Sequence, residues 1–329
     1  MNNEFQTEIN WLRKQRMRQQ EPERTLQHMP PSGGDNDDNN GLCHQTMLGG
    51  FADVAGMEDL KSFIDISFIQ VVRNREIAAR FGLQPTSMML FGPPGCGKTY
   101  LANSIANECQ MNFIKVTPDQ VGSIYQHGPV KKIAELFKKA EEKSPVILFL
   151  DEIDAFLPKR SDDSQRFRNA EVNQFLCLLN NANEKGIYLI AATNHPELID
   201  SAVLRPGRIN EMIYIDLPDL HMREELFRFS LKKLPAEKTI NYHTLAVKTK
   251  GFNCADINYV VKMAARHSFE ETLKNPNKSY RLISQDFIEQ AINKRAPSVS
   301  SDEIRFYEQL KRKYSTNGAD RSRTVVGFH

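Results

Sequence analysis

An eight-residue run that is rich in glycine contains the residues best suited to bind a phosphorylated ligand. It reads Gly92-Pro93-Pro94-Gly95-Cys96-Gly97-Lys98-Thr99 and fits the pattern G-x-x-x-x-G-K-[ST]. Glycine lets the backbone turn tightly, so that successive N–H groups can point at one anion. Lys98 supplies a mobile positive charge for the β- and γ-phosphates, and the hydroxyl of Thr99 can ligate Mg²⁺. We therefore expect residues 92–99 to bind ATP together with Mg²⁺.

A second candidate lies further along the chain, where an apolar strand ends in acidic residues. Ile147–Leu150 is followed directly by Asp151 and Glu152. Parallel sheets place their ligands at the carboxyl ends of strands, so we expect Asp151 beside the glycine-rich run as a Mg²⁺ partner. Glu152 is then placed to polarise an attacking water as a general base. Alone, such acids could be a solvated strand end; together with the glycine-rich run they predict ATP hydrolysis.

Apolar segments that alternate with amphipathic ones must position these residues. We predict strands at Met88–Phe91, Asn112–Val116, Val146–Leu150, Tyr188–Ala192 and Met212–Ile215. We predict intervening helices at Lys98–Glu108, Val130–Glu142 and Asn169–Leu179. This alternation predicts an α/β fold with a parallel sheet, which, together with the two motifs above, is the sheet of a P-loop NTPase. After Pro218 the pattern becomes helical, at Arg223–Lys232, Cys254–Thr272 and Ser284–Asn293, which predicts a second, small α-helical domain.

Composition and charge narrow the class of protein. The 329 residues are 40% hydrophobic and 26% charged, and Lys+Arg 43 against Asp+Glu 41 give a net charge of +2. That charge is too small to indicate a nucleic acid or a membrane surface as partner. The longest apolar run, Val146–Leu150, is far shorter than the roughly 20 residues that span a bilayer. Five cysteines without a C-x-x-C pair favour a reduced, cytoplasmic location.

A long stretch that ends at Arg208 closely resembles a known family. Residues 191–208 read AATNHPELIDSAVLRPGR and are similar to the second region of homology of AAA ATPases. The clade is that of valosin-containing protein, katanin, spastin and the proteasomal ATPases. The resemblance implies that Asn194 helps to hold the attacking water. It also implies that Arg205 and Arg208 reach into the nucleotide site of a neighbouring subunit, which predicts a homo-hexamer with arginine fingers in trans.

The resemblance extends over roughly residues 51 to 314. The segment Phe51-Ala52-Asp53-Val54-Ala55-Gly56 resembles the family's opening segment, so the backbone of residues 53–56 is expected to line the adenine. The segment Gly251–Ile257 is similar to the start of the lid helix, which places Ala255 at the nucleotide; Cys254 stands where the family usually has glycine. A C-terminal helix is expected after residue 300, with a capping box formed by Ser300 and Glu303.

A tyrosine marks the position at which family members thread polypeptide. Counted from Phe113 without gaps, the family's pore-loop aromatic falls on Tyr125. An aromatic ring can bind many kinds of side chain by stacking and apolar contact. The residues after Tyr125 are Gln126 and His127, where the family has a hydrophobic residue and glycine, so Tyr125 could equally be a loop tyrosine that packs locally.

The predicted order of domains has five segments. They are residues 1–28, a charged helix; 29–50, a linker; 51–217, the AAA α/β nucleotide-binding domain; 218–296, the helical lid; and 297–329, a C-terminal helix with a tail. Phe5, Ile9 and Leu12 form a short apolar stripe beside Trp11. The stripe indicates either a docking helix for a partner or a frayed tail.

These features together predict an oligomeric AAA motor that hydrolyses ATP and remodels, unfolds or disassembles a protein substrate by threading it. One alternative is an ATP-switched assembly scaffold that binds partners through its N-terminal segment and does not thread. The other is an unfoldase subunit that feeds a separate protease. The Gly327-Phe328-His329 tail is the only sequence feature that supports this alternative. The substrate or adaptor has no signature in the sequence.

Overall fold

The computed structural model describes residues 49–118, 129–157, 175, 177–179, 182–204, 208–274 and 280–315. The predicted N-terminal helix, nearly all of the linker and the tail after Ser315 lie outside these ranges. Tyr125 and Arg205 lie outside them as well, as does most of the helix predicted at Asn169–Leu179.

A five-stranded parallel sheet forms the centre of the described chain, and the predicted α/β fold is confirmed. Its strands are β1 (Met88–Phe91), β2 (Asn112–Val116), β3 (Val146–Leu150), β4 (Ile187–Thr193) and β5 (Glu211–Tyr214). Their spatial order is β2-β3-β4-β1-β5. Because the strands are parallel, the residues that follow β1, β3 and β4 meet at one edge of the sheet.

Eleven helices are bounded within the described ranges. They are α1 (Glu58–Ile64), α2 (Gln70–Arg73), α3 (Arg75–Arg80), α4 (Lys98–Glu108), α5 (Pro129–Glu142), α6 (Ile153–Phe156), α7 (Leu220–Leu231), α8 (Tyr242–Lys248), α9 (Cys254–Lys274), α10 (Gln285–Asn293) and α11 (Ser301–Ser315). A π-helical segment, Asp65–Ile69, joins α1 to α2, and 3₁₀ turns lie at Phe51–Asp53, Pro196–Leu198 and Ser201–Leu204. None of the helices in the described ranges has the length and hydropathy needed to cross a membrane.

Separate apolar cores cover the two faces of the sheet. Side chains alternate along a strand, so Leu148 and Leu150 of β3 enter one core while Ile147 and Phe149 enter the other. Leu101 of α4 packs in the core that contains Ile147. All five residues of β3 are buried, as expected for a strand covered on both faces.

Helices α7 to α10 build a third core of their own. Phe227, Leu245, Ile257 and Ile288 are fully buried there, one from each of the four helices. Three of these helices begin at polar caps, where Asp219, Asn241 and Ser284 each accept a hydrogen bond from a backbone N–H in the first turn.

Helix α11 returns to the sheet after the helical segment. Tyr307 and Leu310 belong to the core on one face of the sheet. The predicted capping box is confirmed, because the Glu303 N–H donates to Ser300 Oγ and the Ser300 N–H donates to Glu303 Oε2. Helix α11 therefore packs on the sheet, next to the residues that follow β4.

Candidate nucleotide-binding site

The glycine-rich run connects β1 to α4 by a turn that side chains would block. Gly92 has φ +141°, and a Cβ built there would lie 2.1 Å from the carbonyl oxygen of Ile215. Gly95 has φ +74°, and its Cβ would lie 2.6 Å from Nδ2 of Asn253. Both positions therefore require glycine for the backbone conformation and for the space.

The side chain of Lys98 is buried against the loop that precedes it. Its Nζ donates to the carbonyls of Gly92 at 2.9 Å and Pro93 at 2.8 Å. Burial lowers the pKa of Lys98 to about 8, although Cys96 and Asp151 act in the opposite direction. Burial also raises the pKa of the Cys96 thiol to about 12, so this thiol stays protonated and packs as a small apolar group.

Asp151 lies where the sequence predicted it, at the end of β3 and beside α4. Its Oδ2 accepts a hydrogen bond from Thr99 Oγ1 at 3.1 Å, and Lys115 Nζ on β2 lies 2.8 Å from the same oxygen. The sequence analysis did not single out Lys115. The one feature of the sequence that could have indicated Lys115 is a lysine between apolar residues near the end of a predicted strand.

Glu152 occupies a strained position one residue further on. It has φ 53° and ψ 51°, in the left-handed region, and it caps the short helix α6. A non-glycine residue there costs about 1–2 kcal/mol, and such strain is concentrated at functional sites. The side chain of Glu152 is exposed, so water can reach its carboxylate.

The donor atoms at this edge fit Mg²⁺. Thr99 and Asp151 offer a hydroxyl and a carboxylate oxygen, which are hard ligands of the kind that Mg²⁺ prefers. Within the described ranges no group of three or more His, Cys, Asp or Glu residues could hold a metal ion by itself. Mg²⁺ commonly takes one or two protein ligands and completes its shell with phosphate oxygens and water.

A cavity of about 570 Å³ opens beside these residues. It is lined by the predicted loop residues from Pro94 to Thr99, by Asp151 and Glu152, and by Asn194. Gly92 and Pro93 do not line it; they act through the carbonyls that hold Lys98. The volume lies within the range of typical small-ligand sites.

The opening segment closes another side of the cavity. Asp53, Val54 and Ala55 line it, whereas the Gly56 N–H donates to Glu225 Oε2 of α7 at 2.7 Å. Tyr100, which the sequence analysis missed, also lines the cavity, and its hydroxyl donates to the Asp53 carbonyl at 3.2 Å.

The start of α9 closes the cavity from the helical side. The Ala255 N–H donates to the Gly95 carbonyl at 3.1 Å, and Asn253 Nδ2 donates to the Pro94 carbonyl at 3.0 Å. Ala255 and Cys254 both line the cavity. Burial raises the pKa of Cys254 to about 11, so its thiol also stays neutral.

Asp256, one residue further along α9, is part of the scaffold rather than of the cavity. Its side chain is fully buried, and it accepts hydrogen bonds from Arg295, Ser298 and the Asn253 N–H. Burial alone would raise the pKa of this carboxyl, but the hydrogen bonds from Ser298, Arg295 and Asn253 outweigh burial and lower it.

Asn194, at the end of β4, lines the cavity and carries a buried side-chain amide oxygen. Its Oδ1 is buried and has no hydrogen-bond partner among the described residues. The preceding residue, Thr193, is fixed by a 2.5 Å hydrogen bond from its Oγ1 to Asp154 Oδ1. Arg208 lies elsewhere: it does not line the cavity, and its Nη1 donates to the Ala202 carbonyl at 2.7 Å.

Comparison with known proteins identifies the domain that carries this site. Residues 88–217 match the model of the ATPase family associated with various cellular activities (AAA). The chain contains an AAA ATPase domain. The prediction of an AAA ATPase domain is thereby confirmed, while its clade and the activity of the whole protein stay predictions.

A curated relative gives the same result. The chain is 36% identical over 224 residues to a protein of Plasmodium falciparum (isolate 3D7) named "Putative cell division cycle ATPase". The aligned residues are 67% of this chain but only 18% of that relative, so the AAA similarity covers a small part of the longer protein.

Proposed function

We propose that this chain is the subunit of an oligomeric ATPase that hydrolyses Mg²⁺-bound ATP to ADP and phosphate and uses the free energy to remodel a protein substrate. The observation that carries the proposal is the convergence of Lys98, Thr99, Asp151, Glu152 and Asn194 around one cavity. Few binding sites other than that of an NTPase need a phosphate-binding loop, a hydroxyl–carboxylate pair and a free carboxylate together.

Each of these side chains has a task that its position supports. The backbone N–H groups of residues 95–99 and the Lys98 ammonium bind the phosphates, for which Lys98 exchanges the Gly92 and Pro93 carbonyls for phosphate oxygens. Thr99 and Asp151 would hold Mg²⁺, which would supply positive charge to neutralise the phosphates.

The hydrolysis step needs an oriented water molecule and an acceptor for its proton. Asn194 lines the cavity, and its side-chain amide can fix the water by hydrogen bonding once the side chain turns towards it. Glu152 takes the proton as the water oxygen bonds to the γ-phosphorus and the bond to the β,γ-bridging oxygen breaks. The electron pair of that bond stays on ADP, so charge develops on the phosphoryl oxygens and must be stabilised.

Arg205 and Arg208 are proposed to supply that stabilisation from a neighbouring subunit, which requires a ring, most simply a homo-hexamer. The AAA motif and the position of Arg208 outside its own cavity support this arrangement. Residues 51–217 would then act as the motor domain and 218–296 as a lid that moves with the nucleotide state. We also propose that the substrate is threaded past Tyr125. A partner bound by residues 1–28 and a cytoplasmic location are further parts of the proposal.

The proposal is tested by the variant Glu152→Gln, which keeps the shape of the side chain and removes the base. We expect phosphate release to fall by about 100-fold or more while ATP binding is retained. Glu142→Gln, an exposed carboxylate on α5, is the matched control and should hydrolyse ATP as the wild type does. Sedimentation of the Glu152→Gln variant in the presence of ATP measures the number of subunits in the oligomer. Near-normal hydrolysis by Glu152→Gln would overturn the assignment of the base.

A further inference from the structure

The carboxylate that is proposed to hold Mg²⁺ already has a cation beside it. Lys115 Nζ lies 2.8 Å from Asp151 Oδ2, and this is the oxygen that accepts the hydrogen bond of Thr99 Oγ1. A lysine and a metal ion that use one carboxylate oxygen compete for the same negative charge.

The fold directs Lys115 to this place. It lies two residues after Phe113 on β2, so the two side chains share a face of the sheet, and Phe113 stacks on Phe149 of β3 with ring centroids 5.7 Å apart. Lys115 pairs in register with Phe149, two residues before Asp151. A four-carbon stem spans that offset and carries the ammonium to the end of β3.

The ion pair is sheltered without being fully buried. The side chain of Asp151 is 22% exposed and that of Lys115 is 32% exposed. The attraction is therefore partly screened, and the ammonium can withdraw without leaving a buried charge unpaired.

We infer that Lys115 is a positioning residue that acts as a built-in counter-ion of Asp151 and thereby sets how strongly Mg²⁺ and nucleotide bind together. Before the metal arrives, Lys115 holds the carboxylate in place and adds positive charge for nucleotide that carries no Mg²⁺. When the metal arrives, the same charge opposes it. Lys115 therefore strengthens metal-free nucleotide binding and weakens the coupling between nucleotide and Mg²⁺. This inference rests on the proposed function of the site.

The test is the affinity of the full chain for a fluorescent ADP analogue, measured in EDTA and again in excess Mg²⁺. ADP is used because it is not turned over. The coupling between metal and nucleotide is given by the dissociation constant in EDTA divided by the dissociation constant in Mg²⁺. In Lys115→Met we expect this ratio to rise by about fivefold, because metal-free binding weakens and metal binding improves. The free Mg²⁺ concentration that gives half-maximal binding should fall correspondingly.

Three further variants separate this role from a structural one. Lys115→Arg keeps the charge and should restore the wild-type ratio. Lys185→Met removes an exposed lysine that pairs with Glu141, away from the cavity, and should leave the ratio unchanged. In an Asp151→Asn background, Lys115→Met should raise the ratio by clearly less than it does in the wild type, since the carboxylate for which the two cations compete is gone.

The outcomes distinguish the inference from the proposal on which it rests. A wild-type protein that binds no ADP with or without Mg²⁺ would contradict both. A wild-type protein with tight, Mg²⁺-dependent binding and an unchanged ratio in Lys115→Met would overturn only the role of Lys115. If Lys115→Met fails to fold, Lys115→Gln provides a second neutral side chain, judged by the same ratio.

Discussion

The hydroxyl of Tyr307 donates a hydrogen bond to the backbone carbonyl of Asn194 at 3.1 Å. Tyr307 lies on α11 and is buried, and Asn194 carries the buried acceptor at the end of β4. About two helical turns further on, the Tyr314 hydroxyl donates to the Pro196 carbonyl at 3.1 Å. The C-terminal helix thus holds the loop that presents Asn194 to the cavity.

Tyr307→Phe should slow ATP hydrolysis more than it weakens ATP binding. The variant keeps the ring and removes one hydrogen bond, which costs about 1 kcal/mol of stability. Because Asn194 would then be held less firmly, we expect kcat to fall about fivefold to tenfold with little change in nucleotide affinity. Tyr314→Phe loses an equivalent bond to Pro196 and should lower kcat less. Equal effects of the two variants on kcat would show that Tyr307 acts only through stability.

Gly95→Ala should weaken nucleotide binding by about tenfold or more. Its Cβ would lie 2.6 Å from Nδ2 of Asn253 and 3.1 Å from the Cβ of Ala255, so α9 would be pushed away from the loop. Gly82→Ala is the matched control, because Gly82 has a similar φ of +67° and open space around its Cβ position. Both variants should lose thermal stability through backbone strain, but only Gly95→Ala should lose affinity in a nucleotide titration.

The stability of the chain should fall as pH rises from about 4.5 towards 8, through the titration of Glu211. Burial raises the pKa of Glu211 to about 7, and its Oε2 has no hydrogen-bond partner among the described residues. A raised folded-state pKa means that the folded protein binds this proton more tightly than the unfolded chain. The contribution is complete below the unfolded value of 4.5 and is lost as pH passes the folded value.

Urea unfolding of Glu211→Gln at pH 5 and pH 8 measures this contribution. The amide cannot ionise, so the wild-type loss between the two pH values should shrink by about 2 kcal/mol. Glu76→Gln, on an exposed position of α3, should keep the wild-type slope. An unchanged slope in Glu211→Gln would contradict the assignment.

Arg295→Met should destabilise the helical segment by about 2–3 kcal/mol. It removes the guanidinium that lies 2.6 Å from the fully buried carboxylate of Asp256 and leaves that charge with fewer partners. Arg266→Met breaks an exposed ion pair with Glu270 and should cost less than about 1 kcal/mol. Thermal unfolding of both variants, followed by circular dichroism, checks the difference; equal losses would refute it.

Strands were predicted well where apolar runs end abruptly. β1, β2 and β3 have the predicted bounds, because a turn glycine, a polar residue or an acid delimits each run. β4 is longer than predicted by Ile187 and Thr193, two β-branched residues of the kind that strands favour. The helices at 58–80 were not predicted, because the π-helical segment Asp65–Ile69 interrupts the periodicity of their apolar residues.

The parts of the site that lie within one motif could be predicted, and those that join distant segments could not. Gly92–Thr99 and Asp151 lie where their patterns indicate. Lys115 and Tyr307 reach the site through the strand order and the return of α11, and neither has a local pattern. Phe113, two residues before Lys115, stacks on Phe149, and this contact exists only because β2 pairs with β3.

The hydrogen bonds of Lys98 to Gly92 and Pro93 have a consequence for the cycle as a whole. An empty loop whose lysine is already satisfied by its own carbonyls keeps its shape between turnovers. Under the proposed function, loading ATP would exchange the carbonyl partners of Lys98 for phosphate oxygens without refolding the loop. Once the nucleotide has left, the lysine can return to its former partners. Under the proposed function, each round would then begin from the same loop structure.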